Sequence, residues 1–563
     1  MGELISPIEL WKDFNPNLDD EDINIISEKD SGDGYICRQM YFTAYQTPGG
    51  KVRAFAQFYC DKNTVKNTKK APVIFFLGST VRFYQTLKFI KNRLKGVSVF
   101  TIDYLGYNKN YDRYTIYPKC LEYANFEKAQ EILNTVKDSP KDTPWYIWTA
   151  MARRALTLLE RIPEVDSKKI AVLGIKTGAN LAWKIGATDN RACCIVSMFN
   201  TGWLGYDFLY KKSAETDQEI PEERSLYLAA LSTQSYAPFV KTPILVTLST
   251  NDSDATFDRA FDTYARIPEN TVSMLSVIPY SDKEIFFEYN DTIINWLKNY
   301  LFDAEFYHPY QPELAIKNQD NKLLIEIKAD NSIPIKEIRL YQATETPDPS
   351  VRNWFRLNCE DKGGGIYSAA AEILDVNEYC FAFANVFYDD YIISSTLHAC
   401  IPSELKITSA NIKASRLVYD SSMGLDCFTV TNVNELFHHG PELAVQKGAL
   451  DMTGVRALMG DLATFKIGDP RFKGYEEDQL QIGYYSPIDQ NITIALRNYQ
   501  SDRCEFDYFY TFKVEGAEIW DKITLSASEF KNEDGAMLKS FENAVLLYIK
   551  SEGELLINNI LWV

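Results

Sequence analysis

The fold is decided by the stretch KIAVLGIKTGANLAWKIGA, residues 169–187. Its first part is a short apolar run typical of a buried strand, and its second part has the composition of a helix. Between them stands Gly174-Ile175-Lys176-Thr177-Gly178, in which glycines flank a three-residue turn. Because glycine permits close backbone approach, the pattern predicts a sharp strand-to-helix turn that presents the Lys176 side chain.

The same alternation of strands and helices extends in both directions from this turn. The other short apolar runs are 72–78, 97–104, 192–199, 243–249 and 273–279. Helical patterns lie between them, for example at 149–162 and 291–302. Apolar strands that are each followed by a helix indicate a parallel sheet in an α/β domain. Ahead of it, alternating residues at 35–45 and 52–59 around Pro48-Gly49-Gly50 predict a β-hairpin.

Beyond residue 303 the helical period disappears and strand patterns take over. They lie at 322–330, 336–343, 380–396, 492–499, 506–514 and 554–563. The strands up to about residue 403 span about 100 residues, the size of a small β-sandwich. The longer segment that follows favours a larger sandwich of the jelly-roll type. We therefore predict an N-terminal β extension (1–70), an α/β domain (71–303), a sandwich (304–403) and a jelly roll (404–563).

Composition and charge exclude several classes of function. The 563 residues are 46% hydrophobic and carry a formal net charge of −18, which repels phosphate backbones and anionic lipid headgroups. Nucleic acid and membrane surfaces are therefore not expected as partners. The N-terminal residues lack a signal-peptide pattern, so we expect a cytoplasmic protein unless a leader was removed. The ten cysteines are too few for a disulfide scaffold and are interpreted as reduced thiols.

Histidine is scarce, and its distribution restricts the chemistry. The chain has four, His308, His398, His438 and His439, so residues 1–307 have none. Histidine is the usual proton shuttle of hydrolytic sites near neutral pH. The adjacent pair His438-His439 lacks the ligand spacing of a zinc site and is interpreted as part of a surface loop, so no metal and no cofactor are expected.

Residues 71–300 resemble the α/β-hydrolase superfamily, in particular its dienelactone-hydrolase-like and acetyl-xylan-esterase-like bacterial members. The resemblance rests on the turn at 174–178, on Ile102-Asp103-Tyr104-Leu105-Gly106-Tyr107, and on Pro163-Glu164-Val165-Asp166. Arg352-Asn353-Trp354 and the segment FANVFYDD are similar to appended immunoglobulin-like domains. Leu556-Ile557-Asn558-Asn559-Ile560 before Trp562 is similar to the last strand of galactose-binding-like, carbohydrate-binding jelly rolls.

The resemblance implies a catalytic triad, of which two members are missing. The nucleophilic serine of the family corresponds to Lys176, the acid corresponds to Asp252, and the histidine corresponds to nothing within residues 280–284. Thr177 and Ser79 stand where oxyanion-hole donors arise. His308 follows the helix 291–302, which carries the chain about 18 Å towards the opposite end of the sheet.

Lys176 leaves three interpretations open. It is a new catalytic amine, it binds an anion at the helix N-terminus together with Thr177 and Ser79, or it is a vestige of lost activity, which we favour. We accordingly expect a catalytically degenerate relative of carbohydrate esterases with a binding or assembly role. A saccharide or a small anion is the expected ligand, and a sugar-binding face on the last domain is one candidate site. The alternative is an active hydrolase of acylated saccharides or related esters with a non-standard site.

Overall fold

The computed structural model divides into two compact units. It describes residues 4–17, 22–66, 69–200, 202–206, 211, 220–282, 287–304, 307–344, 346, 348–431, 437–438, 440, 442–499 and 505–563. The first unit comprises Met1–Leu248, Asp258–Ser276 and Asp291–His308, and the second comprises Ser249–Phe257, Val277–Asn290 and Pro309–Val563.

The α-helices of the described residues precede the all-β part of the chain. They are α1 (Pro7–Trp11), α2 (Lys62–Lys66), α3 (Thr80–Arg93), α4 (Phe126–Ala129), α5 (Pro144–Arg161), α6 (Thr177–Thr188), α7 (Glu222–Ala230), α8 (Thr233–Tyr236), α9 (Phe257–Tyr264) and α10 (Phe287–Phe302). The strands interspersed with them are β1 (Asn24–Asp30), β2 (Tyr35–Thr47), β3 (Gly50–Asp61), β4 (Ala71–Leu77), β5 (Ser98–Ile102), β6 (Val165–Ile175), β7 (Cys194–Met198), β8 (Ile244–Ser249) and β9 (Ser273–Ile278).

Within the described residues these nine strands form one mixed sheet in the order β1-β2-β3-β5-β4-β6-β7-β8-β9. Strands β1, β2, β3 and β5 pair antiparallel, whereas β5, β4, β6, β7 and β8 pair parallel. The predicted hairpin and all six apolar runs are present as strands. The order of the strands in the sheet departs from their order in the chain at one place, where β5 precedes β4. This strand order and the sharp turn after β6 are those of the α/β-hydrolase fold. The expected fold class is confirmed.

The core of this sheet lies along its central strands. Every residue of β5, β7 and β8 is buried, because parallel strands in α/β folds are covered on both faces. Large indoles fill the layers between helices and sheet, and their N–H groups are paired. Trp183 on α6 donates to Ser197 Oγ at 2.8 Å, and Trp296 on α10 donates to the Ile195 carbonyl at 3.1 Å. Such pairing removes the free-energy cost of burying an indole N–H.

The all-β part of the second unit begins at Glu313. Its strands are β10 (Glu313–Gln319), β11 (Lys322–Lys328), β12 (Glu337–Thr344), β13 (Phe355–Leu357), β14 (Glu360–Gly363), β15 (Ile366–Ala370), β16 (Cys380–Phe387), β17 (Ile392–Ser394), β18 (His398–Cys400), β19 (Leu417–Asp420), β20 (Thr429–Thr431), β21 (Phe437–His438), β22 (Leu443–Lys447), β23 (Thr453–Ala457), β24 (Leu462–Thr464), β25 (Gln479–Tyr485), β26 (Gln490–Tyr499), β27 (Glu505–Val514), β28 (Trp520–Ser526), β29 (Ala544–Ser551) and β30 (Leu556–Trp562).

These strands form four antiparallel sheets in the described part of the second unit. The sheets β10-β11-β15-β14 and β13-β12-β16-β17 share one apolar core, and the two sheets formed by β19 to β30 share another. The expectation of all-β domains after the α/β part is thereby confirmed. The predicted strand 380–396 is divided into β16 and β17 by a turn in which the Tyr388 N–H donates to the Tyr391 carbonyl at 2.8 Å. The domain boundaries at 70, 303 and 403 stay predictions.

Candidate functional site

Lys176 occupies the turn between β6 and α6 in a strained backbone conformation. Its φ is 55° and its ψ is −117°, a region that residues with a Cβ rarely adopt. The Lys176 N–H donates to the Met198 carbonyl at 2.9 Å, and the Lys176 carbonyl accepts from the Ala179 N–H at 3.0 Å. The side chain, which is half-buried, therefore projects from a fixed turn at the start of a helix.

The two glycines of the turn are required by close backbone contacts. A Cβ atom on Gly174 would lie 2.3 Å from the Gly178 carbonyl oxygen, and one on Gly178 would lie 2.0 Å from the Leu77 carbonyl oxygen. No side chain fits at either distance. The sharp strand-to-helix turn predicted from the two glycines is thus present, and Lys176 stands at its centre.

The two expected oxyanion-hole positions differ in environment. Thr177 is the first residue of α6 and is half-buried. Ser79 is exposed and precedes α3, where its hydroxyl oxygen accepts a hydrogen bond from the Arg82 N–H at 3.4 Å. The Ser79 hydroxyl therefore caps a helix, a structural role that many serines fill.

Asp252, which the resemblance assigns to the acid position, is buried and belongs to the second unit. Only 1% of its surface is exposed, and its Oδ1 accepts the N–H groups of Asp254 and Ala255, both at 2.9 Å. The neighbouring Asn251 donates from Nδ2 to the carbonyls of Ser350 at 2.8 Å and Arg352 at 3.0 Å. This loop is thus held to the chain around Ser350 by buried hydrogen bonds.

The loop expected to carry a base contains other residues, also buried in the second unit. Tyr280 has a φ of 55°, its N–H donates to Thr250 Oγ1 at 2.9 Å, and its ring lies 5.8 Å from that of Tyr341. The Ser281 carbonyl accepts from the Asn251 N–H at 3.0 Å. Asp282 is 7% exposed, and Lys283 and Glu284 lie outside the described residues.

His308 lies far from the turn, at the other end of β6. Its ring packs 5.4 Å from that of Trp296 and 6.1 Å from that of Tyr300, whose carbonyl accepts from Lys169 Nζ at 3.1 Å. Lys169 precedes Lys176 by seven strand residues, or about 23 Å at about 3.3 Å per residue. His308 therefore belongs to the amino end of the strands, as the length of the preceding helix predicts.

The remaining histidines do not form a metal centre in the described part of the chain. His398 is half-buried in β18 with its Nε2 3.4 Å from Thr396 Oγ1. His438 ends β21, but its side chain and His439 lie outside the described residues. Among the described residues, no group of three or more His, Cys, Asp or Glu side chains is arranged to hold a metal ion.

The structure also shows a cavity that the sequence interpretation did not identify. It lies beside Ser79 and the loop 103–115, and Lys176 and Thr177 are not among the described residues that line it. At its base, Asp103 accepts three backbone N–H bonds, and desolvation raises the pKa of this carboxyl to about 6. The sequence feature that could have indicated this cavity is the close spacing of the tyrosines at 107, 111 and 114.

The N-terminal half of the chain has the α/β-hydrolase fold, with a lysine in the turn between β6 and α6. No family model matches the chain, and no curated protein matches it. Within the described residues, no helix is long and apolar enough to cross a membrane.

Among solved structures, similar ones include carbohydrate esterases. Acetyl xylan esterase 1 from a Thermoanaerobacterium species is 16% identical over 49% of this chain and 87% of its own, with a TM-score of 0.37. An acetyl xylan esterase from a Paenibacillus species is 14% identical over 51% and 91%, with a TM-score of 0.39. A glucuronoyl esterase from Solibacter usitatus is 14% identical over 44% and 73%, with a TM-score of 0.32. The similarity is one of fold and covers the N-terminal half.

Proposed function

We propose that this protein is a catalytically degenerate relative of carbohydrate esterases that binds a saccharide without hydrolysing an ester. The observation that carries the proposal is Lys176 at an otherwise intact nucleophile turn, with φ 55° and both flanking glycines in place. A serine hydrolase needs a hydroxyl at this point and a base beside it, and the two act as a unit. The turn persists here because it closes the fold.

The environment of the two remaining triad positions supports the same proposal. Asp252 directs Oδ1 to the N–H groups of its own loop, which is the role of an aspartate in a tight turn. Phe257, which ends this segment, packs edge-to-face against Trp354 at 5.5 Å and Phe383 at 5.4 Å. Asp252 Oδ1 is thus engaged by its own loop, and none of the residues 280–284 is a histidine, so the base is missing where the resemblance would place it.

One alternative has an observation of its own. The half-buried Lys176 side chain stands at the N-terminus of α6, where the N–H groups of the first helical turn favour anions. A lysine-centred hydrolase of acylated saccharides would use that amine as nucleophile or base.

Ester hydrolysis by matched variants separates the two functions. The full chain, Lys176→Ala and Lys176→Ser are assayed with p-nitrophenyl acetate and labelled with a fluorophosphonate, with an active serine esterase as positive control. We expect no labelling and no turnover above that of Lys176→Ala, and we expect Lys176→Ser to stay inactive because residues 1–307 contain no histidine. Turnover by the natural chain that Lys176→Ala abolishes overturns the proposal and supports the lysine-centred hydrolase.

A further inference from the structure

The first unit contains a cavity of about 460 Å³ beside the position of Ser79. This volume lies within the range of small-molecule binding sites. One wall is formed by the start of α3, and another by the loop 103–115 that follows β5. Four tyrosines line it, at Tyr84, Tyr107, Tyr111 and Tyr114.

The loop that carries three of these tyrosines is fixed at both ends by one carboxylate. Asp103 accepts from the N–H groups of Leu105 at 3.0 Å and Gly106 at 3.2 Å through Oδ1, and from the Thr115 N–H at 2.6 Å through Oδ2. Thr115 Oγ1 in turn accepts from the Phe55 N–H of β3 at 3.0 Å. A loop tied in this way holds its side chains in place before a ligand arrives, which reduces the entropy lost on binding.

Two of the four tyrosines, Tyr84 and Tyr107, are about half exposed to solvent. Tyr107 and Tyr114 lie edge-to-face with their centroids 5.1 Å apart, and Tyr84 and Tyr107 are 48% and 47% exposed. Rings that are flat, apolar on their faces and polar at the hydroxyl suit ligands with apolar patches and many hydroxyl groups. Among the lining amides, Gln57 lies with its Nε2 3.4 Å from the Tyr84 hydroxyl and adds a donor and an acceptor.

The charge of the lining selects against anionic ligands. The described residues that line the cavity include three carboxylates, those of Asp103, Asp112 and Glu127, but one guanidinium, that of Arg113. Arg113 is hydrogen-bonded to Gln39. With a net charge of −18 on the whole chain, a phosphate or a uronate would enter an unfavourable potential. A neutral ligand avoids this repulsion.

We infer that this cavity binds a short neutral oligosaccharide, with sugar rings stacked on Tyr84 and Tyr107 and hydroxyl groups bonded to Gln57 and its neighbours. The inference rests on the proposed function, because it specifies the class of saccharide that is bound and the cavity that holds it. It places the ligand beside Ser79 and the loop 103–115 and assigns no ligand contact to Lys176.

Glycan binding by the full chain tests this inference. The protein is applied to an array of neutral, sulfated and uronate-containing oligosaccharides, and each hit is titrated by calorimetry. Variants Tyr107→Ala and Tyr84→Ala remove rings from two separate elements, the loop and α3. Tyr475→Ala removes a tyrosine of similar exposure, 52%, from the second unit and serves as the matched control. The Tm of each variant reports whether it is folded.

We expect neutral glycans to bind, with at least a tenfold loss of affinity in Tyr107→Ala and in Tyr84→Ala and no change in Tyr475→Ala. A silent array, binding restricted to charged glycans, or binding that both cavity variants retain overturns the inference; the last result would assign the glycan to another domain. Ester turnover in the same preparations contradicts only the proposed function, so the two failures are distinguishable.

Discussion

The backbone of Gly178 lies directly against the carbonyl group of Leu77, so that a Cβ atom on Gly178 would stand 2.0 Å from the Leu77 oxygen. This contact joins the first turn of α6 to the end of β4. In the sheet, β4 is the neighbour of β6, the strand that leads into α6. The turn at 174–178 is therefore a structural junction, whatever side chain stands at position 176.

Replacement of Gly178 tests how strictly the fold requires this junction. We expect Gly178→Ala to lower the free energy of unfolding by about 3 kcal/mol, because backbone atoms must move to admit the methyl group. Urea denaturation measures the change. Gly32→Ala is the control, since Gly32 has a φ of 80° and open space around it, and only the conformational cost of about 1 kcal/mol applies. Equal losses of unfolding free energy in the two variants would show that the contact between Gly178 and Leu77 does not contribute to stability.

The strain at Lys176 can be separated from the loss of its side chain by two truncations. Both Lys176→Ala and Lys176→Gly remove the amine, but only glycine adopts a φ of 55° freely. We expect Lys176→Gly to be more stable than Lys176→Ala by about 1–2 kcal/mol in thermal or urea unfolding. Lys88 is exposed in the middle of α3 and serves as the control. There we expect Lys88→Ala to be more stable than Lys88→Gly by about 1 kcal/mol, because glycine is unfavourable inside a helix. The same order at both sites would contradict strain at the turn.

Asn251 holds the loop of Asp252 to the chain around Ser350. Its amide donates to two buried carbonyls, those of Ser350 and Arg352, and Asn251 itself is 3% exposed. We expect Asn251→Ala to reduce stability by about 3 kcal/mol, because unsatisfied buried acceptors each cost about 1–3 kcal/mol. Glu533→Ala, at an exposed position elsewhere in the second unit, should change stability by less than about 0.5 kcal/mol. A silent Asn251→Ala variant would mean that these bonds are dispensable.

The burial of Lys184 on α6 predicts an unusual dependence of the protein's stability on pH. It is fully buried, with Nζ bonded to Asn180 Oδ1 and 4.6 Å and 5.2 Å from the ring centroids of Trp145 and Tyr236. Desolvation holds the pKa of Lys184 well below its ordinary value. Between the folded and unfolded pKa values the unfolded chain binds more protons, so this group's contribution to stability rises with pH until about 10.4.

Lys184→Met isolates that contribution. At pH 7 the variant should be more stable than the natural chain by at least about 1 kcal/mol, because the cost of burying an amine is removed. The difference should shrink as the pH rises towards 10, as measured by urea unfolding at each pH. A difference that is constant with pH would show that Lys184 carries the same charge in both states.

Much of the fold was predictable because its signals are local. The six apolar runs, the hairpin and the turn at 174–178 each depend on side-chain period or on glycine, which neighbouring residues determine. The lack of a serine at 176 and of any histidine in 1–307 is likewise a property of the chain alone. The strand predicted at 380–396 was too long because the turn between Tyr388 and Tyr391 contains neither glycine nor proline.

What the sequence by itself determined was the order of strands and helices, the turn at 174–178, the lysine at position 176 and the lack of histidine in residues 1–307. Only the tertiary structure decided that the loops of Asp252 and Tyr280 are buried with the second unit, and that four tyrosines share a cavity beside Ser79. The physical reason is that burial and cavities depend on contacts between residues tens to a hundred positions apart. Asn251 and Ser350 meet by a hydrogen bond of 2.8 Å across such a separation, and no local pattern in the sequence records that contact.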